Sequence, residues 1–464
     1  MTTAPVPTPA TLPEIRETAP PITPILTATD FLTASKLRIW GRRSALSLMD
    51  QGLTSLTGFS VSFLLARWLA PESYGAYAIG FAGYLFVCGF HNVIILEPMS
   101  VLGPARHSNA LLSYFRAQIT VHGVLVTALS TIAALAAAVT WHIVPQSPLV
   151  GAIVGSAIAL PFLLLIWLAR RMCYTLQRPG IAILGSATCL ATVLVGLYLL
   201  RHLNALGPFY AFLLMGAGSL LGSALVLGRI KSTVIQARER ARIPWSDILR
   251  ENFSYGRWLI GSTVLYSVSG QVQMFLAAAF LGLGSAGVLR AMMLPAAVMT
   301  QAVSATDLLI LPGFSYDFGR GSLKRMRVKA ILVSCALGGA GLIVAALLRI
   351  LAGPAEHLLF GGKFSAYIWL MPLLALVPAV NGFNSGFSAA LRGSQKPHFD
   401  LVANAIAAPS AVISALLFIR WLGLAGAGIS MVVGFAVYMA VNAWFFFTRH
   451  ESSSTTEESD VRRS

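Results

Sequence analysis

Long apolar stretches alternate with short, basic connections from about residue 44 to 447. Twelve of them are long enough to cross a bilayer, which takes roughly 20 apolar residues. They predict membrane helices at about 44–70, 74–102, 115–142, 148–169, 180–201, 206–228, 256–282, 286–316, 328–352, 365–391, 399–420 and 424–447. Most exceed the minimum span, so tilt or kinks are expected. Pro98, Pro161, Pro295, Pro312, Pro378 and Pro409 fall inside the spans and mark bending points. Neighbouring helices can satisfy the carbonyls that these prolines free.

The second six spans look like a degenerate copy of the first six. Gly41-Arg42 recurs as Gly256-Arg257, and Leu69, Ser73 and Gly75 recur as Leu281, Ser285 and Gly287. Arg178-Pro179 reappears as Lys396-Pro397, and Leu203 and Gly207 as Leu422 and Gly426. The shared order at a nearly constant offset is the informative part. Because each unit has an even number of helices, the halves enter the membrane in the same sense, related by an axis along its normal. The expected fold class is therefore an all-α integral membrane protein of about 12 transmembrane helices, in two pseudo-symmetric six-helix lobes around a central cavity. The lobes run over 41–228 and 256–447, joined by a basic cytoplasmic linker at 229–255. A Pro- and Thr-rich leader over 1–40 and a Ser/Thr/Glu tail over 448–464 read as disordered and cytoplasmic.

Composition agrees with the pattern: 56% hydrophobic and 11% charged residues, with a mean hydropathy of +0.75. The net charge of +16 would suggest nucleic acid in a soluble domain. Here all but six of the 33 Lys and Arg fall in the leader, the tail and the connections on one side, which makes them topology signals and leaves no nucleic-acid footprint. The six are Arg67, Arg201, Arg290, Arg349, Lys363 and Arg420. Both termini are accordingly expected in the cytoplasm. Cys88, Cys173, Cys189 and Cys335 form no Cys-x-x-Cys pair, so free thiols are expected, with no disulfide framework and no metal site.

The run Leu64-Leu65-Ala66-Arg67-Trp68-Leu69-Ala70-Pro71-Glu72-Ser73-Tyr74-Gly75-Ala76-Tyr77 resembles the first-helix signature of the polysaccharide (oligosaccharide) flippases, except that Ala70 stands where a glycine is frequent. Leu-Phe-Gly-Gly-Lys-Phe at 359–364 and Leu-Arg-Gly-Ser-Gln-Lys-Pro at 391–397 are similar to the C-terminal half of that family. The resemblance covers roughly 40 to 447. It implies the fold of the multidrug/oligosaccharidyl-lipid/polysaccharide exporters. It also implies a lipid-linked oligosaccharide on undecaprenyl pyrophosphate as cargo, moved between leaflets of the bacterial inner membrane for exopolysaccharide or lipopolysaccharide O-antigen synthesis. Membrane lipids would surround it, and glycosyltransferases and a polymerase of the same pathway would be partners.

Such cargo needs a polar, cationic cavity, and arginine suits phosphate because its planar fork donates paired hydrogen bonds. Arg42 and Arg257 occupy matching positions at the inner mouths of the first and seventh helices and would face each other, although the positive-inside bias alone explains both. Arg67 and Arg290 stand against that bias near the outer ends of their helices. They are candidates for the exit side of a cationic path, with snorkelling as the plain alternative. Glu97 and Asp307, in corresponding helices, are candidates for ion coupling or for static helix-to-helix ion pairs, and Asp50 is similar. Of the stripe Ser267, Ser269, Gln271 and Gln273, Gln271 is the candidate to line the cavity.

No Gly-x-Ser-x-Gly elbow, His-Glu-x-x-His pair or phosphate loop appears, and the eight histidines are scattered, so an enzyme is not expected and no cofactor is implied. The readings left open are a flippase, a multidrug or organic-cation antiporter of the same superfamily, and a membrane polysaccharide polymerase or ligase. The antiporter would require a net acidic cavity. The polymerase would require a large outer loop, which the short connection at about 349 to 365 does not supply.

Overall fold

A computed structural model describes residues 34–234, 243–319, 322–394 and 398–449. Most of the expected leader, the centre of the linker, Lys396-Pro397 and most of the tail lie outside the described residues. The N-terminal lobe comprises α1 (Ala34–Trp68), α2 (Pro71–His91), a π-helical turn (Asn92–Leu96), α3 (Glu97–Arg106), α4 (Leu111–Ile143), α5 (Pro148–Thr175), α6 (Pro179–His202) and α7 (Pro208–Val234). The C-terminal lobe comprises α8 (Trp245–Leu281), α9 (Leu283–Gly319), α10 (Leu323–Phe360), α11 (Leu370–Gly393), α12 (His398–Leu422) and α13 (Leu424–Arg449).

With α2, the π turn and α3 taken as one rod, twelve rods match the expected spans, but several run past the apolar stretches. Helix α1 begins inside the expected leader, and α7 and α8 take up both ends of the expected linker. Polar turns continue these helices into water, where hydropathy no longer reports them.

Eleven rods among the described residues are long and apolar enough to cross a membrane, and α1 is the exception. Its membrane-depth half carries Gln51, Thr54, Ser55, Thr57, Ser60 and Ser62. About three α-helical turns of hydroxyls and amides are tolerable there only where other polar groups or water meet them.

The bend in the second rod has a local cause. Pro98 has no N–H to offer the carbonyl four residues back, and the Glu97 amide bonds the Asn92 carbonyl five residues back. The ladder widens by one residue for a single turn and then resumes.

The duplication reappears as matched packing. Helix α1 packs on α6 and α5 on α7, as α8 packs on α12 and α11 on α13. The Arg201 guanidinium lies 5.5 Å from the Trp68 ring, and Arg420 lies 5.2 Å from the Phe280 ring in the other lobe. Two of the six cations on the unexpected side therefore belong to the repeat framework.

The lobes meet tightly at the end where α1 finishes, here the far end; the opposite end, where α1 begins, is the basic end. Helices α2 and α9 cross at Gly75 and Gly287, the pair linked by the repeat. A Cβ on Gly287 would sit 2.5 Å from the Pro71 carbonyl oxygen and 3.0 Å from the Gly75 nitrogen. Beside this crossing each lobe caps a helix of the other. The Arg67 Nη1 donates to the carbonyls of Leu358 and Leu359 at 2.7 and 3.4 Å, at the C-terminus of α10. The Lys363 Nζ donates to those of Ala66, Arg67 and Leu69 at 3.0, 2.7 and 2.7 Å, at the C-terminus of α1.

Three ammonium protons thus meet three carbonyls that the helix end leaves bare. Two consecutive left-handed glycines, Gly361 at φ +70° and Gly362 at φ +85°, end α10 and turn Lys363 toward α1. Phe364 follows, fully packed, its amide donating to Glu356 Oε1 at 2.7 Å. Burial, and then the like charge of Arg201, lower the Lys363 ammonium below the ordinary lysine range.

Two outcomes follow. Gly75→Val should lower the melting temperature of the purified protein, as overpacking costs about 1–3 kcal/mol. Gly83→Ala, with nothing within 4 Å of the added methyl, should leave it unchanged. Arg67→Ala with Lys363→Ala should open the far end. Read in a background with Cys173 and Cys335 changed to Ser, cavity thiols Cys88 and Cys189 should then react several-fold faster with an impermeant maleimide added from that side. An unchanged labelling rate in the double variant would remove the clasp from the closure.

Candidate functional site

Below the closed end lies a cavity of about 820 Å³, walled by α1, α2, α5, α6 and α7 of one lobe and by α9 of the other. It is therefore an N-lobe cavity with a single C-lobe wall. The polar residues of α1 that depress its hydropathy face this space, including Gln51, Thr54, Ser55 and Ser62. Between α1 and α9 a seam reaches the surface: Leu56 and Val298 line the cavity and are 48% and 68% exposed. One polar bond spans the seam, from Ser55 Oγ to Gln301 Oε1 at 3.4 Å.

Two guanidinium groups enter the cavity at different depths, in opposite electrostatic states. Arg170, on α5, is 3% exposed and ion-paired with the fully buried Asp50 of α1. Its Nε and Nη2 donate to Asp50 Oδ2 at 3.0 and 2.8 Å. The Tyr174 hydroxyl also donates to Oδ2, and Ser186 Oγ donates to Oδ1 at 2.5 Å. Donors from α5 and α6 thus saturate one carboxylate on α1, as a charge in a low-dielectric interior requires.

Arg290, on α9, has no acid among its described partners. Its guanidinium rests 4.7 Å from the Phe81 ring of α2, and its buried Nε has no acceptor. Phe81 continues a stack with Tyr77 and Tyr74. A cation over an aromatic face gains about 0.5–2 kcal/mol, far less than a carboxylate would supply at that depth. No Asp or Glu lines the cavity among the described residues. With Arg170 neutralised by Asp50, the net charge presented to the cavity is that of Arg290.

The other expected site residues lie elsewhere. Arg42 and Arg257 are exposed at the basic end and are not brought together: α1 packs on α6 and α9, while Gly256 of α8 packs on Val93. Arg67 belongs to the clasp and does not line the cavity. Gln271 does not line it either: it is half-buried on α8, while Ser267 abuts α2 at Gly89 and Gln273 is fully buried without a partner among the described residues. Glu97 stands at the π turn with Arg171 as its charged neighbour, and Arg171 donates to Asn92 Oδ1 at 3.3 Å. Asp307 accepts from the Ser385 hydroxyl and lies 3.9 Å from Arg392, inside the C-lobe.

Sequence reasoning missed Arg170, which it left in the connection after a span ending at 169. It also missed that two of the scattered histidines meet: His91 Nε2 and His122 Nδ1 are 3.0 Å apart beside the π turn. Asp400 accepts from the Tyr438 hydroxyl in the C-lobe, and Asn442 donates to Asn384 at 3.0 Å.

No protein-family model and no curated protein matches the chain. Solved structures do. An inward-facing multidrug resistance transporter of the MATE family aligns with a TM-score of 0.72 at 13% identity, covering 88% of this chain and 99% of that one. The lipid II flippase MurJ in an inward closed conformation gives 0.64 at 14% identity over 86% and 87%. An outward-facing MATE transporter gives 0.61 at 15% over 89% and 96%. The described residues share the two-lobed, helical fold of these solved structures.

Proposed function

We propose that this protein is a flippase for an anionic lipid-linked saccharide, of the undecaprenyl-pyrophosphate oligosaccharide class. It carries the head group from the cytoplasmic to the periplasmic leaflet of the bacterial inner membrane during exopolysaccharide or O-antigen assembly. The carrying observation is the uncompensated Arg290 in a cavity without acids. A half-buried guanidinium that faces a cavity and lacks a carboxylate is an open partner for an anion. A phosphate supplies two acceptors in the geometry of the arginine fork.

The seam between α1 and α9 supports a cargo whose tail never leaves the hydrocarbon. Phe81, beneath Arg290, lies ten residues into α2, about 15 Å from the far end at 1.5 Å per residue. Leu56 and Val298, flanking the seam, lie about 18 and 22 Å from the same end by the same count. A phosphate at Arg290 would thus sit within side-chain reach of a lipid tail in the seam.

With the basic end in the cytoplasm, the clasp closes the periplasmic face. Movement then requires α9 to part from α2, which withdraws Arg290 from Phe81 as the outer face opens. An organic-cation antiporter of the same fold would need carboxylates where this cavity presents a guanidinium.

In proteoliposomes, a fluorescent undecaprenyl-pyrophosphate-linked N-acetylglucosamine should reach the opposite leaflet. Arg290→Gln should slow it about tenfold or more, from the loss of charge-assisted bonds. Arg290→Lys should retain part of the rate, since it keeps the charge and loses the fork. Transport by a folded Arg290→Gln protein at the wild-type rate would refute the reading. So would wild-type protein that exports ethidium and leaves the lipid unmoved.

A further inference from the structure

Arg170 and Arg290 share a cavity but offer different chemistry, and the difference divides the space. The Nε and Nη2 of Arg170 are taken by Asp50, and Nη2 also reaches Gln51 Oε1 at 3.4 Å. No protein acceptor meets Nη1 among the described residues, and Arg170 lines the cavity. The group therefore presents N–H donors to the cavity with its charge already balanced.

Beside it stands an oriented aromatic pair. The guanidinium lies 4.9 Å from the Trp167 ring, and Trp167 Nε1 donates to the Tyr84 hydroxyl at 2.9 Å. Both rings line the cavity. The Trp167 side chain is held at two points, by Arg170 over its ring and by Tyr84 at its nitrogen. The Tyr84 hydroxyl also lies beside the Cys88 thiol, a weak acceptor that a sugar oxygen can replace.

A flat apolar surface bordered by neutral-sum donors is a poor phosphate site and a good site for a ring with one C–H face and a rim of hydroxyls. We infer that the basic-end half of the cavity is a saccharide subsite, in which a sugar ring lies on Trp167 and its oxygens accept from Arg170 and exchange hydrogen bonds with Tyr84. Asp50, Tyr174 and Ser186 are positioning residues that hold Arg170 and do not touch cargo.

The inference rests on the flippase reading and deepens it by fixing the order of the head group. Tyr84 lies thirteen residues into α2 and Asp50 eighteen residues before Trp68, about 20 and 27 Å from the far end. The phosphate at Arg290 is then nearest the bilayer midplane, and the sugar extends about 10 Å toward the basic end.

The test compares equilibrium binding of undecaprenyl phosphate with undecaprenyl-phosphoryl glucose, galactose and N-acetylglucosamine to the full-length protein in nanodiscs. Wild-type protein should bind at least one sugar-bearing probe about tenfold more tightly than the bare phosphate. Trp167→Leu should erase that preference while leaving undecaprenyl phosphate affinity within about twofold, and Trp167→Phe should restore part of it. Arg290→Gln should weaken all four probes.

Equal affinity of wild-type protein for all four probes overturns the subsite and leaves the flippase reading standing. Equal weakening of all four by Trp167→Leu does the same, because it marks a structural role. If undecaprenyl phosphate does not bind, or binds independently of Arg290, the flippase reading fails first and the subsite falls with it.

Discussion

A helix that ends at a lobe boundary leaves carbonyls that hydrocarbon cannot satisfy and that the other lobe can. This protein meets that constraint reciprocally at the far end. Arg67, from the end of α1, caps α10, and Lys363, from just beyond α10, caps α1. Each bond is charge-assisted, and the donors sit where the helix dipoles are negative. The clasp is partly exposed, so each bond contributes on the order of 1 kcal/mol. That strength suits a closure that must also open. Loss of one cation bares carbonyls on the opposite lobe and leaves the other cap in place, which is why the clasp is removed only by changing both. Everything below it, the α2 to α9 crossing and the cavity roof at Arg290, is held in register by that contact.

Inside the cavity the controlling quantity is the difference between a balanced and an unbalanced guanidinium. Asp50, on α1, takes four donors from two other helices, so Arg170 is as much a structural pillar as a lining of the cavity. Removing one member of such a pair leaves a buried charge and costs about 3–5 kcal/mol. Arg290 has the Phe81 ring and the Tyr74 and Tyr77 side chains beside it, and no carboxylate among the described residues. Its position is tolerable because it spans the lobe interface, where aromatic faces from α2 and the cavity meet. An aromatic face stabilises a cation weakly enough to be exchanged for an anion, as the proposed transport requires.

The rods, their order and the two-lobe repeat were legible because hydropathy and spacing report burial in lipid directly. Helix ends were not, since the polar turns of α1, α7 and α8 carry no apolar signal. The omission of Arg170 follows from the same limit: a span drawn to stop at the first charge assigns the charge to the connection. Arg67 and Lys363 were visible inside two sequence signatures, yet a signature shows which residues matter without showing which carbonyls they face. In the structure the first signature resolves into parts: Arg67 caps α10, Pro71 starts α2, Tyr74 is fully buried and Gly75 makes the crossing. The second supplies the two left-handed glycines that aim Lys363. Gln271 shows a second limit: its polarity marks membrane depth, and the helix face it occupies is not readable from the sequence, so it stands outside the cavity lining.

The repeat is kept in the frame and abandoned in the chemistry. Arg201 on Trp68 and Arg420 on Phe280 are the same joint made twice, and Gly75 and Gly287 are the same crossing seen from either lobe. At the offset of 218 that relates Arg178-Pro179 to Lys396-Pro397, Trp167 and Arg170 correspond to Ser385 and Ser388. The serines lie in a C-lobe interior where polar groups close on one another, as Ser385 does with Asp307 and Asn442 with Asn384. A symmetric frame can rock about its axis at little cost because both halves bend alike. An asymmetric interior keeps the proposed saccharide surface on one lobe and the phosphate-seeking cation on the other. Parting the lobes therefore separates Arg290 from Trp167 and Arg170, and a head group that bridges them feels the motion at both ends.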